Sequence, residues 1–378
     1  MTPAELSRTV LRAMRSAVDA GELSGDVTAS VGAGNVRVER PRPGGRGDFA
    51  TNVALQIARA AGRTPRDVAE MLSPRLAAEP GIAGVDITGP GFLNITFTDA
   101  RAHATALVRE ICERGRCYGH VHPDTGGLAQ IHVPRELRAA VIADSARRIL
   151  RSQGVLVRVT CEGEPDPAWA AALDALDVRI DAYGRPPEPL PTLRPVPAPA
   201  PADAVLRLGR DAARWALLHP APHDHPRVTP EQGGDEHLVQ RESNPLFRVQ
   251  YAYARTRALT RNAAALGFTA QPERDPAAED APGHPDDPAP ALLTPLGDYP
   301  ATLASAGRHR APDRLARQLV VIADAFLALQ SAPQGAVLPR GDEKPSAAHR
   351  ARLALAEAAG TVFAGGLSLL GINAPEFV

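Results

Sequence analysis

One strand–helix–strand pattern, followed by very little chain, most constrains what the middle of this sequence can fold into. The apolar segments "AQIHV" and "VLVRV" flank a helical segment at 135–151, which together make one βαβ unit. Between Val155 and Ala202 there is room for about one more helix and a linker. A complete doubly wound nucleotide-binding domain needs two βαβαβ halves. We therefore expect no more than a remnant of such a domain.

The turn between the first strand and the helix decides whether a phosphate could bind at the helix start. It consists of Val133, Pro134, Arg135 and Glu136. In nucleotide-binding α/β proteins this turn carries glycine or histidine, which lets a phosphate approach the helix N-terminus. Proline and arginine do not serve that purpose, and the carboxylate of Glu136 would repel a phosphate. The turn therefore argues against a working nucleotide site.

The flanking regions have different patterns from the middle. Residues 1–115 mix helical and strand periodicity, which predicts an α+β domain. Its predicted elements are helices at 4–20, at 48–61 and from Thr64–Pro65, with Asp67 in a capping box, and strands at 36–39, 85–88 and 92–98.

The C-terminal half is predicted to be helical. We assign residues 125–185 to the α/β (Rossmann-like) remnant and 186–201 to a proline-rich linker that does not pack. Residues 202–378 are predicted to form an all-α helical bundle that contains a disordered acidic insert at 271–290. Its predicted helices span 202–218, 244–268, about 312–330 and 347–370.

Composition excludes several classes of protein. The formal net charge is −1, so no global basic field favours a polyanion, and Lys344 is the only lysine. The three cysteines, Cys112, Cys117 and Cys161, form no zinc spacing and no even disulfide set. No signal peptide and no apolar run of ~20 residues is apparent. These features predict a soluble cytoplasmic protein that does not span a membrane.

The segment "HPAPHDHP" at 219–226 concentrates possible metal ligands. It contains His219, His223, Asp224 and His225, but interleaved prolines give the ligands no fixed spacing. We therefore predict an ordinary loop here and assign no metal site.

Several segments, in order along the chain, resemble class I arginyl-tRNA synthetases. "GDFATNVALQIARAAGRTPRDVAEML" and "GPGFLN" are similar to the N-terminal additional domain of that family. "LRAAVIADSARRIL" resembles the first helix of its catalytic nucleotide fold. "GRDAARWALL", "NPLFRVQYAYAR" and "LLGINAPEFV" resemble its helical anticodon-binding domain, in which Asp211–Arg214 stands where the family tends to have Asp-Ala-Leu-Arg.

The same resemblance identifies what is missing. The family has His-x-Gly-His directly before the segment that begins at Leu137, and these histidines stabilise charge on the ATP phosphates. In that position this chain has Val133–Glu136, with His132 one residue too early and no glycine. The family's lysine-containing loop has no lysine-based substitute nearby, since Lys344 lies far along the chain, in the segment predicted to form the C-terminal bundle. The resemblance thus implies a degenerate ATP-site remnant at His132, Pro134, Arg135 and Glu136, with no catalytic residues.

The resemblance also implies tRNA contacts. In the family, an aromatic residue and an asparagine at positions matching Phe92 and Asn94 contact the D-loop of tRNA. Gln250, Tyr251 and Arg255 match a helix on the anticodon side, and Tyr251 and Arg255 share one face as i and i+4. Val378 stands where relatives commonly end in methionine beside the anticodon loop. The alternative for Phe92 and Tyr251 is packing in the core, and for Arg255 a solvated position.

Three functions remain open at this stage. The chain is expected to be a catalytically inactive, tRNA-binding relative of arginyl-tRNA synthetases that needs no cofactor and whose partner is an arginine-type tRNA rather than DNA. A second hypothesis is a residual or partner-completed arginine–tRNA ligase, which would use ATP. A third is a protein-interaction module that regulates a full-length synthetase.

Overall fold

The computed structural model forms two compact units, Met1–Leu107 and Val108–Val378. The residues that the structure describes are 3–24, 27, 36, 38–39, 41, 46–121, 127–184, 186, 192–198, 202–272, 289–332 and 335–378.

The first unit is an antiparallel sheet packed with helices. The described helices are α1 (Pro3–Asp19), α2 (Val53–Ala61) and α3 (Pro65–Ala77), and a further helix, α4 (Ala100–Arg114), continues past the end of the unit. The strands are β1 (Val38–Glu39), β2 (Phe49–Thr51), β3 (Ile82–Thr88) and β4 (Phe92–Phe97), in the spatial order β1-β2-β4-β3.

Local sequence explains several of these elements. Helix α3 begins at the predicted capping box, in which Thr64 Oγ1 accepts from Asp67 N–H at 3.2 Å and Asp67 Oδ2 accepts from Thr64 N–H at 3.3 Å. Strand β4 alternates as predicted, with Leu93, Ile95 and Phe97 buried on one face. This face joins α1, α2 and α3 in the core of the unit.

The predicted helix at 48–61 begins too early. Residues Phe49–Thr51 instead form β2, which pairs antiparallel with β4 through Phe49 and Ile95. The buried ring of Phe49 lies 5.6 Å from that of Phe97. Cross-strand pairing therefore overrides the helical spacing of Phe49 with Val53.

The second unit combines a small parallel sheet with a helical region. The sheet has the order β5-β6-β7, from β5 (Gly127–Val133), β6 (Val155–Cys161) and β7 (Ala182–Tyr183). Helix α5 (Leu137–Ser152) connects β5 to β6, and α6 (Pro167–Ala175) connects β6 to β7. The helical region contains α7 (Ala202–Leu206), α8 (Arg210–Leu218), α9 (Pro245–Ala265), α10 (Ala289–His309), α11 (Pro312–Ser331) and α12 (Ala347–Leu370). The predicted fold class is confirmed.

Helix α5 is the central element of this unit. It contacts β5 and β6 and also the helices α8, α10, α11 and α12. Its alanines Ala139, Ala140, Ala143 and Ala146 are fully buried, and their small side chains allow close approach on several sides. The remnant α/β segment and the helical region therefore share one core.

The prediction that the proline-rich segment 186–201 does not pack is wrong for residues 192–198. Thr192 forms a parallel bridge with His132 in β5, and Leu193 N–H donates to the His132 carbonyl at 2.8 Å. Val196 N–H donates to the carbonyl of Pro222 at 2.8 Å. Backbone hydrogen bonding to the sheet and to the 219–226 loop fixes this segment despite its composition.

The predicted disordered insert lies mostly outside the described residues, at 273–288, but its last two positions begin helix α10. This helix was not predicted, since it contains Pro295 and Pro300, and proline disfavours a helix interior. Pro300 has no N–H to donate to the Leu296 carbonyl, and the Tyr118 hydroxyl donates to that oxygen instead at 3.2 Å. Leu292, Leu296, Tyr299 and Leu303 are buried at helical spacing, which compensates for the prolines.

Helix α12 is long and apolar enough to cross a membrane by length and composition, contrary to the expectation from the sequence. However, 78% of its most apolar window is buried inside the protein. Core helices of soluble proteins pass the same test, so α12 is at most a weak indication of a membrane span.

Candidate nucleic-acid interface

The start of α5 is closed by the protein's own carboxylate. Glu136 is the N-cap residue, and its side chain accepts from Arg138 N–H at 3.0 Å and from Ala139 N–H at 2.7 Å. It also accepts from Ala198 N–H at 3.2 Å. Backbone N–H groups at a helix N-terminus are the donors that a bound phosphate would use. Here Glu136 already occupies them.

The other residues of the predicted ATP-site remnant also have partners within the protein. His132 is buried, and its Nδ1 lies 2.8 Å from Thr160 Oγ1. The Pro134 carbonyl accepts from Glu136 N–H at 2.8 Å. Arg135 pairs with Asp166, and its guanidinium lies 5.9 Å from the Trp169 ring centroid. The backbone hydrogen bond from Trp169, followed by the bond from Arg135, lowers the pKa of Asp166.

Arg138 is the second residue of α5, and its side chain connects several segments of the chain. This role was not predicted from the sequence. Arg138 is fully buried, and its Nε donates to the Leu217 carbonyl at 3.1 Å. Its Nη atoms donate to the carbonyls of Val196, Asp224, Pro220 and Ala221 at 2.7 to 3.2 Å. All five N–H donors of a guanidinium are thereby used. Arg138 thus joins the proline-rich segment to the 219–226 loop at the start of α5.

The histidines of the 219–226 loop are not grouped as metal ligands. His219 stacks on Trp215 with ring centroids 5.1 Å apart, and His223 is exposed. Burial, with a smaller effect of Arg317, lowers the pKa of His219 to about 4. Within the described ranges, no three His, Cys, Asp or Glu side chains are placed to hold a metal ion.

The Asp211–Arg214 motif holds the chain where α12 ends. Arg214 is fully buried, donates from Nε to the Leu370 carbonyl at 2.8 Å and pairs with buried Asp144 of α5 at 2.9 Å. Asp211 Oδ1 accepts from Asn373 N–H at 3.2 Å. Gly371 has φ of 71°, and a Cβ there would lie 2.4 Å from Arg214 Cζ. A glycine is therefore required at this position.

This arrangement leaves an open cavity of about 440 Å³ between the starts of α8 and α9 and the C-terminal segment, residues 371–378. Gln250 and Val378, both predicted site residues, lie in its wall. Gln250 Nε2 donates to the Asn373 carbonyl at 3.1 Å and lies 3.4 Å from Asp211 Oδ2. The wall also includes Leu208, Gly209, Arg210, Asp211, Ala212, His237, Leu238, Val239, Gln240, Asn244, Leu246, Phe247 and Asn373.

Asn244 shapes one side of the cavity. It is the N-cap of α9, and its Oδ1 accepts from Leu246 N–H at 3.0 Å. Its Nδ2 donates to the carbonyls of His237 and Val239 at 3.0 and 2.9 Å. The buried amide thus fixes the loop that presents Leu238 and Val239, both exposed, at the cavity.

The remaining predicted residues of α9 lie beside the cavity rather than in its wall. Tyr251 is 38% exposed and stacks on the cavity residue Phe247, with ring centroids 5.6 Å apart. Arg255 is exposed one turn further along, where its Nε lies 3.5 Å from Gln330 Oε1. The structure therefore brings Gln250, Val378 and Tyr251 together and places Arg255 farther along the same helix.

The two predicted residues of the first unit differ in accessibility. Phe92 is 40% exposed, whereas Asn94 is 5% exposed and donates from Nδ2 to Thr88 Oγ1 at 2.7 Å. The Asn94 amide is therefore less accessible to a nucleobase than the Phe92 ring. Accessibility thus favours Phe92 over Asn94 as an RNA contact, and both roles stay predictions.

Sequence reasoning missed most of the cavity wall. The motif at Asp211 and the Asn244-Pro245 helix start were visible signals, but neither was assigned to a binding surface. Leu238, Val239 and Asn373 carry no local signal, since only the tertiary fold brings these distant segments together.

Comparison with known proteins agrees with this architecture. Residues 8–97 match the arginyl-tRNA synthetase N-terminal domain, and residues 249–378 match the DALR anticodon-binding domain. The arginine–tRNA ligase of Renibacterium salmoninarum is 28% identical over an alignment of 566 residues that covers 100% of both chains. That of Micrococcus luteus is 41% identical over 165 residues, which cover 41% of this chain and 29% of the relative.

A solved structure shares the fold. The Thermus thermophilus arginyl-tRNA synthetase superposes with a TM-score of 0.65 at 15% identity, covering 100% of both chains. The matched domains, in the family's order at both ends of the chain, show that this chain belongs to the arginyl-tRNA synthetase family.

Proposed function

We propose that this chain binds an arginine-type tRNA in the cytoplasm but does not activate arginine. The observation that carries the first part is the cavity at the start of α9, to whose wall the segment that matches the anticodon-binding domain contributes Gln250, Asn373 and Val378. The cavity is large enough for an unpaired base, and Gln250 and Asn373 provide polar atoms at its wall. Unpaired RNA bases are commonly bound by stacking and by hydrogen bonds to their edges.

The surroundings of the cavity suit RNA. Leu238, Val239, Val378 and the neighbouring ring of Tyr251 are all exposed at or beside it. Arg210 lies in the wall and Arg255 one turn beyond Tyr251. Apolar and aromatic surface next to guanidinium groups is the combination that stacks on bases and pairs with phosphates.

The closed start of α5 supports the second part of the proposal. Glu136 occupies the N–H groups that a nucleotide phosphate would need, and His132 is buried against Thr160. The described sheet has three strands, fewer than a doubly wound nucleotide fold requires. The Renibacterium alignment spans 566 positions, whereas this chain has 378 residues, so about a third of those positions hold no residue of this chain.

Two assays on the intact protein test the two parts separately. Filter binding of bulk tRNA at low salt should show retention that falls steeply as salt rises, because phosphate contacts release counterions. Arginine-dependent pyrophosphate exchange should stay at background. Exchange above background would favour the ligase function of the relatives. Absence of tRNA retention would favour a module that binds a protein partner such as a full-length synthetase.

A further inference from the structure

The C-terminal segment carries a carboxylate that holds two arginines of α9. Glu376 Oε1 lies 3.3 Å from Arg257 Nε, and its Oε2 lies 3.5 Å from Arg261 Nη1. The arginines are four residues apart, so they project from the same helix face. All three side chains are 40 to 48% exposed. One exposed carboxylate therefore offsets one of the two positive charges of this pair of exposed guanidinium groups.

The next residue adds a second contact to the same arginine. The ring centroid of Phe377 lies 4.6 Å from Arg261 Cζ, a cation–π distance, while 76% of the side chain remains exposed. The segment that continues into this contact also supplies Asn373 and Val378 to the cavity wall. The two arginines are thus tied to the same short segment that helps to form the cavity.

We propose that Glu376 is a specificity-determining residue, which reduces the binding of Arg257 and Arg261 to the phosphates of RNA that does not fill the cavity. Free arginines one turn apart on an exposed helix would bind any phosphate backbone. An exposed ion pair contributes only about 0.2–1 kcal/mol. A phosphate can therefore displace Glu376. The free energy of binding that it then obtains from Arg257 and Arg261 is smaller than it would be if these arginines had no carboxylate partner. RNA that also fills the cavity retains its base contacts.

This inference rests on the proposed RNA function of the cavity, but Glu376→Gln tests the charge effect independently of tRNA. The change keeps the shape of the side chain and removes its charge. The intact variant should elute from heparin, a polyanion, at higher salt than the original protein. Its affinity for polyuridylate at low salt should rise roughly twofold to thirtyfold, the range expected from two exposed pairs of about 0.2–1 kcal/mol each.

Glu343→Gln is the matched control. Glu343 is also exposed, and it precedes the start of α12, whereas the C-terminal segment follows the end of that helix. Helix α12, which has 24 residues and is therefore roughly 36 Å long at 1.5 Å per residue, lies between the two glutamates along the chain. The control makes the same change in net charge without releasing Arg257 and Arg261, so its elution should stay close to that of the original protein.

A triple variant identifies the groups that are released. Adding Arg257→Gln and Arg261→Gln to Glu376→Gln should abolish the gain in polyuridylate affinity. If the gain persists without these arginines, or if Glu376→Gln elutes with Glu343→Gln, the inference is wrong. Absence of tRNA retention by the original protein, with the heparin difference intact, would instead overturn the proposed tRNA function and leave only the charge effect of Glu376 on the two arginines standing.

Discussion

The start of α5 and the cavity between the starts of α8 and α9 are both helix-terminal regions of one unit, yet they differ in what fills them. At α5, Glu136 accepts three backbone N–H groups, and Arg138 fixes the chain around it. At the cavity, Asn244 is the N-cap of α9. The exposed side chains of Leu238 and Val239 lie in the wall of a cavity of about 440 Å³. One helix start is filled by the protein itself, and the other is open to a ligand.

The difference shows that a segment can resemble a family's nucleotide-fold helix while a side chain of the protein itself caps the start of that helix. "LRAAVIADSARRIL" matches a nucleotide-fold helix, but here its alanines are core contacts and its arginines are mostly engaged within the protein. The retained helix is central to the core that supports the cavity, since Asp144 of α5 pairs with Arg214 of the motif that holds the C-terminal segment. The proposed loss of a nucleotide site is therefore compatible with retention of the surrounding helix.

The largest expected effect is a loss of stability at the start of α5, the helix start that Glu136 fills. Arg138→Met should lower the free energy of unfolding of the second unit by roughly 3–5 kcal/mol, because several buried carbonyls lose their donors. Urea unfolding followed by far-ultraviolet circular dichroism measures this change.

Arg135→Met is the matched control, three residues earlier in the chain. Arg135 is 42% exposed and pairs with an exposed carboxylate, so its replacement should change stability by less than about 1 kcal/mol. Equal effects of the two substitutions would show that Arg138 does not clamp the start of α5.

The loop that Arg138 holds should make stability depend on pH. The pKa of His219 is about 4 in the folded protein and about 6.5 when unfolded, so the unfolded chain binds the proton first as pH falls. The group contributes nothing above pH 6.5, and stability falls between pH 6.5 and pH 4. From pH 7 to pH 5 the loss should be about 2 kcal/mol, measured by urea unfolding at each pH.

Replacement of His219 by phenylalanine should remove that part of the loss, since phenylalanine keeps a ring over Trp215 and does not ionise. His223→Asn changes an exposed histidine of the same loop and should keep the original pH dependence. A His219→Phe variant with an unchanged pH dependence would contradict the assignment.

Whether a feature of the fold could be predicted from the sequence depends on how far apart along the chain the interacting residues lie. Thr64 and Asp67, three residues apart, predicted the start of α3, and Asn244-Pro245 predicted the start of α9. The strand at Phe49 was missed because its partner, Ile95, is distant in sequence. Helix α10 was missed because Tyr118, more than a hundred residues away, satisfies the carbonyl that Pro300 leaves free.

At the start of α5 and at the cavity, too, local features could be predicted from the sequence, whereas contacts between distant segments could not. The sequence predicted that Glu136 is incompatible with phosphate, because the charge of a residue is a local property. It did not predict that Glu136 is also the cap, which involves Ala198 from the proline-rich segment. Gln250 and Val378 were expected from the resemblance, but their meeting in one cavity depends on Asp211 and Asn373, which only the fold brings together.

At the open site, Tyr251→Ala should weaken tRNA binding by about 1–1.5 kcal/mol, roughly tenfold in filter binding. This is near the lower end of the range for base stacking, because Tyr251 is only 38% exposed and already stacks on Phe247. Leu266→Ala, another exposed apolar side chain just past the far end of α9, should leave the affinity unchanged. Equal losses from both variants would place the RNA elsewhere.

The smallest expected effect, and the sharpest test of the comparison, is at Glu136. Glu136→Ala should lower the free energy of unfolding by about 1 kcal/mol, the usual effect of losing an N-cap, and Asp166→Ala, which removes the cap of α6, should do the same. Neither variant should gain binding of ATP, measured as a shift of the thermal unfolding midpoint at millimolar ATP. His132 stays buried against Thr160, and the short sheet supplies no second half of a nucleotide site. A midpoint that rises with ATP in Glu136→Ala alone would mean that one carboxylate closes a competent phosphate site, and the two helix starts would then differ by a single side chain rather than by the architecture around them.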